Sequence, residues 1–267
     1  MDPNSEASQA VPSVGPVSWR VRWSELQRQI LRLQSQDDVE SSVLKRLPTV
    51  RQPFVLAFVN AHAFNSVVHD EGLYRALRGF DVLLRDGSGM ALHYRLRRQP
   101  PGLNLNGTDL IPSVIRRFDG RPIALLGTEQ PYLDNARAAI SRDLAPASAI
   151  DTDHGLHDRA HYVAWVRQHR PSLVVLGMGM PKQELVAMAL RDGLDHPCVI
   201  VCGGAIIDFL GGKVTRSPAW LRRIGAEWLY RLALEPRRLF RRYVLGNPTF
   251  LGRSLFHRMW PGAAASR

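Results

Sequence analysis

Cysteine is almost missing from this sequence. Cys198 and Cys202 are the only two in 267 residues, four apart in an apolar run. They are expected to be buried reduced thiols, and neither a disulfide framework nor a cysteine-rich zinc site is expected. Long hydrophobic runs are missing too. The best stretches, Ser172–Met180 and Cys198–Leu210, carry glycines or Asp208 and fall short of the roughly 20 apolar residues that cross a bilayer. The opening MDPNSEASQAVPSVGP is polar and lacks the basic-then-apolar order of a signal peptide. These absences point to a cytoplasmic protein without a spanning segment.

The last fifth is poor in acids. From Lys213 to Arg267 only Glu227 and Glu235 stand against twelve Lys and Arg, so this segment holds ten of the eleven net positive charges. Three of the six tryptophans, Trp220, Trp228 and Trp260, share it. A near-neutral body with a basic aromatic tail implies an anionic partner: nucleic acid, a membrane surface or phosphorylated substrates.

Residues 1–18, rich in Pro, Ser and Ala, are expected to be disordered. Residues 19–212 read as an α/β body, either one domain or two lobes divided near residue 119. Trp23, Leu26, Ile30 and Leu33 follow helical spacing, which predicts a helix over 23–33. Phe54–Val59 is a continuous apolar run, as expected for a parallel strand buried on both faces; a helical segment through Leu77 follows. Further strands are expected at 81–84, 122–126, 148–150, 173–176 and 199–202, each leading through a turn toward a helix. Thr108 or Asp109 is a candidate cap for a helix over 110–118. The alternation predicts right-handed βαβ units, that is, an α/β fold with a mainly parallel, Rossmann-like sheet flanked by helices. A basic amphipathic helical appendage over 213–267 follows, divided at Pro236, with Trp220, Leu221, Ile224, Trp228 and Leu232 expected near one face.

In such a sheet, ligands bind beyond the carboxyl ends of the strands. Asn60, Asp86, Gly127, Gly177 through Met180, Gly203, Gly204 and Asp208 stand there. Asn60 either caps the next helix or works in a site. Asp86-Gly87 is either a turn pair or a carboxylate at the sheet edge. Gly177 and Gly179 leave room for a phosphate at a helix N-terminus, while Gln183, Glu184 and Asp208 could equally be ordinary helix residues. His62, His154 and His157 form neither an HxH nor an HExxH pair.

Together these strings resemble the WecG/TagA/CpsF family, glycosyltransferase family 26. The matching residues are Asn60-Ala61-His62, Asp81 with Asp86-Gly87 and Gly89-Met90, Asn106-Gly107-Thr108-Asp109-Leu110, GMGMPKQE at 177–184, GGAIIDFLGG at 203–212, and the run Arg216–Pro248. The resemblance implies a bacterial, membrane-associated inverting transferase. It would move a sugar (N-acetylmannosamine-type or glucose) from a UDP-sugar to a polyprenyl-diphosphate-linked monosaccharide, giving a β-linked lipid disaccharide for surface or exopolysaccharide. It implies no cofactor and no metal, a catalytic aspartate at Asp86 and a glutamine at Gln183. Metal-using transferases commonly carry an Asp-x-Asp string; Asp151-Thr152-Asp153 fits it, but follows a short, weak strand, and no metal site is expected. Two positions depart from the family pattern: Phe58, where a threonine is frequent, and Asn104, where an arginine is expected.

On this reading Asp86 is the base for the acceptor hydroxyl and Asn60 orients Asp86 or the acceptor. Gln183 with Gly127, Gly177, Gly179, Gly203 and Gly204 holds the donor, and Asp208 reads the nucleoside. Asn106, Asp109, Arg237, Arg238, Arg241 and Arg242 contact the acceptor or a diphosphate. The partners are then a UDP-sugar, the lipid-linked sugar and an anionic membrane on the inner face, which the tail docks peripherally. No RRM, helix-turn-helix or OB signature accompanies the charge, so nucleic acid is not expected as a partner. The other alternative, a Rossmann-type oxidoreductase, lacks a full GxGxxG after its first strand.

Overall fold

The structure, a computed structural model, describes residues 17–259. Most of the segment expected to be disordered, 1–16, and Trp260 lie outside the described residues. Seven strands form one sheet: β1 (Ile30–Leu31), β2 (Phe54–Val59), β3 (Val82–Arg85), β4 (Ile123–Gly127), β5 (Ile150–Asp153), β6 (Leu173–Gly177) and β7 (Val199–Cys202). Their order is β1-β3-β2-β7-β6-β4-β5 and every pairing is parallel. Strands from both sides of residue 119 therefore share one sheet.

The apolar runs make this sheet because both of its faces are buried. Along β2, Val55, Ala57 and Val59 point into one core, while Leu56 and Phe58 point into the other. β4, β6 and β7 divide their side chains in the same alternating way. Helices Ala61–Ser66, Glu71–Gly79 and Lys182–Gly193 cover the first face. Helices Gly107–Arg116, Tyr132–Asp143 and Ile206–Leu210 cover the second. At roughly 1.5–3 kcal/mol for each fully buried Val, Leu, Ile or Phe, this packing holds the central strands β2, β4, β6 and β7 in place.

Several expected elements shift. The helix expected over 23–33 occupies Trp19–Gln29, and the chain then extends so that Ile30 and Leu31 pair with Leu83 and Leu84 of β3. The free edge of β3 outweighs the helical spacing there. The helical segment through Leu77 is two helices, with Asp70 capping the second through Leu73 N–H. Asn106, rather than Thr108 or Asp109, caps helix Gly107–Arg116 by accepting from Asp109 N–H at 2.9 Å. The strand expected over 148–150 is β5, two residues further on, so the Asp-x-Asp string lies within a strand.

The tail runs as short helices Ala219–Arg223 and Glu227–Leu234, then Pro236–Phe240 continuing through a π-helical turn, Arg241–Leu245, into Gly246–Met259. Gly225, at φ 73°, breaks the first part. Trp220 and Ile224 consequently point outward, at 61% and 69% exposure, whereas Trp228 lines a cavity; the expected single face is split. The last helix packs against Ala61–Ser66 and Ser88–Leu96. Its Phe250 is fully buried, with ring centroids 5.4 Å from Trp23, 6.1 Å from Phe64 and 5.7 Å from His93. Asn65 Nδ2 donates to Gly246 O at 2.7 Å and fixes where that helix starts.

Candidate active site

A cavity of about 650 Å³ opens beyond the carboxyl ends of the central strands, walled on one side by the tail. Asn60, following β2, caps helix Ala61–Ser66: its Oδ1 accepts from His62 N–H at 3.0 Å and Ala63 N–H at 3.2 Å. The same side chain lines the cavity, where its Nδ2 donates to Asp86 Oδ2 at 3.2 Å. Asp86 follows β3 directly, and its N–H continues the ladder to Val59 O at 2.9 Å. The adjoining Gly87 takes φ 86°, a conformation that favours glycine, and donates its N–H to Asn104 Oδ1 at 2.7 Å. Asn104 thus holds the turn that presents Asp86, and Phe58 lines the cavity beside it.

Burial raises the Asp86 carboxyl above the usual carboxylate range; the Asn60 hydrogen bond and the charges of Arg242, Arg231 and Arg85 oppose that shift without cancelling it. A carboxylate displaced in this direction is a better proton acceptor.

The glycine-ended strands form the floor. Gly127, at the end of β4, is buried and lies outside the cavity lining; a Cβ there would fall 2.5 Å from the Gly177 backbone. Its glycine lets β4 and β6 approach. Gly177, Gly179, Gly203, Gly204, Gln183 and Asp208 do line the cavity. Gln183 is buried and internally engaged: its Nε2 donates to Glu184 Oε1 at 2.8 Å and its Oε1 accepts from Gly204 N–H at 3.0 Å. It ties the turn after β7 to the start of helix Lys182–Gly193. Asp208 accepts from Thr128 Oγ and faces Lys213 Nζ at 4.0 Å.

The tail forms the opposite wall. Arg238 and Arg242 line the cavity, whereas Arg237 and Arg241 do not. Arg238 is paired with Glu235 through two contacts, at 2.5 and 2.7 Å. Arg231 and Arg242 form no salt bridge among the described residues, and the Nε of each has no hydrogen-bond partner among them. Aromatic groups shape this wall: Trp228 meets Tyr243 edge-on at 6.0 Å. Asn106 lines the cavity; Asp109 does not, and is bound instead by Arg216 and by Asn106 Nδ2 at 2.7 Å.

Four groups in or beside the cavity were not among the expected site residues. Arg231 and Glu227 come from the tail. Burial raises the Glu227 carboxyl, and the charge on Asp86 adds to that shift. His62 is pushed down to about 4, first by burial and then by Arg242, so it is neutral near pH 7. Glu184, buried behind the floor, is raised by burial to about 7. The GMGMPKQE string was the available signal for Glu184. For Arg231 and Glu227, only the fold-back of the tail reveals their place.

Comparison with known proteins gives a consistent result. Residues 26–264 match the family model described as "Glycosyl transferase WecG/TagA/CpsF family". The chain is similar to an N-acetylglucosaminyldiphosphoundecaprenol N-acetyl-beta-D-mannosaminyltransferase of Bacillus subtilis (strain 168), 25% identical over 187 residues, covering 69% of this chain and 73% of that protein. A protein of the same description from Bacillus spizizenii is 24% identical over 184 residues, 68% of this chain and 70% of its own.

Proposed function

The chain belongs to the WecG/TagA/CpsF family of glycosyl transferases, and from that premise we propose that it transfers a hexose from a UDP-sugar to a polyprenyl-diphosphate-linked monosaccharide, inverting the anomeric centre to give a β-linkage. The observation that carries this reading is the arrangement across the cavity. A desolvated carboxylate, Asp86, held by Asn60, stands within the field of two arginines, Arg231 and Arg242, that form no salt bridge among the described residues. One wall suits proton abstraction; the other suits an anionic leaving group.

In the proposed step the acceptor hydroxyl gives its proton to Asp86 as its oxygen bonds to the sugar C1. The bond from C1 to the β-phosphate oxygen breaks, and UDP departs with that electron pair. Arg231 and Arg242 stabilise the charge that grows on the diphosphate, in a site where burial strengthens each contact. Asn60 keeps Asp86 aimed, and Asp208 with Thr128 meets the nucleoside. Asn106 and Asn104 border the acceptor side.

Docking is assigned to the outer face of the tail. No described helix is long and apolar enough to cross a membrane. Ten of the twelve large hydrophobic residues left exposed among the described residues lie between Trp220 and Met259, and Arg237 and Arg241 lie outside the cavity. Apolar side chains beside basic ones suit the interface of an anionic leaflet, where each basic residue adds about 1 kcal/mol. Arg238 and Arg242 then serve the cavity while their neighbours Arg237 and Arg241 meet lipid phosphate.

The test is a panel of UDP-sugars with short-chain polyprenyl-diphosphate-linked GlcNAc and glucose, with and without EDTA, products resolved by NMR. A β-linked disaccharide from one donor, undiminished by EDTA, is the expected result. No transfer from any donor, or an α-linked product, overturns the reading.

A further inference from the structure

One group of ligand-type side chains has no part in the proposed transfer. β5 ends at Asp153, and the following loop and helix bring His154, His157 and His161 to its carboxylate. One ligand atom from each of Asp153, His154 and His157 lies within 4.8 Å of the other two. The three imidazoles stack in series, with centroids 4.1 Å apart between His154 and His157 and 3.7 Å apart between His157 and His161. We propose that Asp153, His154 and His157 bind a divalent transition-metal ion, with zinc the best match, and that His161 positions the Asp153 carboxylate.

The spacing suits an ion between the two groups. His157 Nε2 is 3.4 Å from Asp153 Oδ1, beyond the usual range of about 2.7–3.2 Å for an N–H···O bond. Two ligands about 2.0–2.1 Å from a tetrahedral zinc are separated by about 3.3 Å, which that gap matches. The other carboxylate oxygen, Oδ2, is 2.7 Å from His161 Nε2. A histidine and carboxylate joined in this way behind a ligand orient it and tune its basicity.

The frame that carries the histidines is fixed. Tyr162, fully buried, donates its hydroxyl to His154 O at 2.8 Å and accepts from His157 N–H at 3.1 Å. Asp153 Oδ1 also accepts from His154 N–H at 2.8 Å. The Asp153 side chain is 13% exposed and that of His157 36%, so the charge sits in a shielded place that solvent can still reach. Two imidazoles and one carboxylate suit zinc, nickel or copper better than magnesium or calcium, which prefer oxygen ligands. Asp151, the other acid of the Asp-x-Asp string, is exposed and outside the group. The proposed site is therefore not the Asp-x-Asp pair as metal-using transferases carry it, and it departs from the sequence expectation of no metal site.

Its place in the fold separates it from Asp86. β5 is the edge strand, and β4, β6, β7 and β2 lie between it and β3. The link to the cavity is the loop between the ligands: Gly155 and Leu156 line the cavity, and Lys182 Nζ donates to Gly155 O at 2.8 Å. An ion bound to His154 and His157 clamps that loop on both sides.

The experiment uses the full, tag-free chain, stripped with EDTA and dialysed against micromolar zinc, with metal content read by mass spectrometry. Wild-type protein is expected to keep one zinc per chain, and cobalt in its place to give the visible bands of a tetrahedral centre. The His154→Ala/His157→Ala variant is expected to lose that zinc. His161→Ala should keep the stoichiometry with affinity lowered about 10- to 100-fold, and Asp151→Asn should match wild type. Circular dichroism checks the fold, and His157→Gln, which keeps much of the side-chain volume, replaces the double variant if that one does not fold. Failure of the wild type to retain zinc, or retention of one zinc by the folded double or His157→Gln variant, overturns the proposal.

Discussion

Asn60 joins a helix start to a carboxylate with the two ends of one amide: Oδ1 receives His62 and Ala63 N–H, and Nδ2 reaches Asp86 at 3.2 Å. The two uses need opposite polarity, one an acceptor and the other a donor. Aspartate offers only the first when ionised, and alanine offers neither.

Asn60→Asp separates these uses. The cap survives, because aspartate is as good an N-cap as asparagine. Two carboxylates then face each other, so one proton is held to higher pH. The acidic limb of the kcat profile is expected to move upward by about one unit or more, with the unfolding midpoint lowered more at pH 8 than at pH 5. Asp86→Asn, by contrast, should remove the limb and lower kcat about 10²- to 10⁴-fold while the protein stays folded. Wild-type kcat in Asp86→Asn would remove Asp86 as the base.

Arg242 is desolvated and has no salt-bridge partner among the described residues, which leaves its guanidinium available to an anion. Arg242→Ala is expected to lower kcat about 10²- to 10³-fold. Arg242→Lys should recover only part, because a point charge cannot reproduce the two-pronged contact. Arg241→Ala should instead weaken binding to anionic vesicles by about fivefold, in line with about 1 kcal/mol per basic residue. Sedimentation with vesicles and steady-state kinetics separate the two.

Glu184 gives stability a sign with pH. Burial raises it in the folded protein to about 7, from 4.5. Between these values the unfolded chain has already released the proton that the folded chain still holds, so stability falls as pH rises from about 4.5 to about 7 and levels off above. Glu184→Gln removes this decline. In urea melts its advantage over wild type is expected to be small at pH 4.5 and largest at pH 8; an advantage that does not change with pH would contradict the assignment.

Gly127→Ala tests the close approach of β4 and β6. The added methyl carbon meets backbone rather than a movable side chain, and φ at this residue is 148°. A loss of about 1–3 kcal/mol is expected from overpacking alone, seen as a lower urea midpoint. Unchanged stability would show that the strands can separate to admit it.

The strands were readable where both faces are buried. FVLAFV at 54–59 occupies its expected positions because a doubly covered parallel strand needs an unbroken apolar run. β1 was hidden: it is two residues long and sits at the end of a helical pattern, and only the free edge of β3 makes it a strand. For Asn60 the cap is present, and the other end of the same amide reaches Asp86 in the cavity, because the side chain has two ends. Arg238 and Arg242 could not be told from Arg237 and Arg241 by charge or spacing, since which of them faces inward depends on how the tail folds back. The same fold-back brings Glu227 toward Asp86, across more than a hundred residues of chain.

Phe250 fills a seat made by Trp23, Phe64 and His93, and the segment leading to it carries Arg231 and Arg242. During synthesis, the nest of aromatic groups stays open until residue 250 has emerged from the ribosome. Closing it draws the arginine wall into place at the same time. A nascent chain thus exposes a sticky aromatic hollow for as long as its cavity lacks the arginine-bearing wall, so the hollow a chaperone would hold also marks a chain whose cavity is still open on one side.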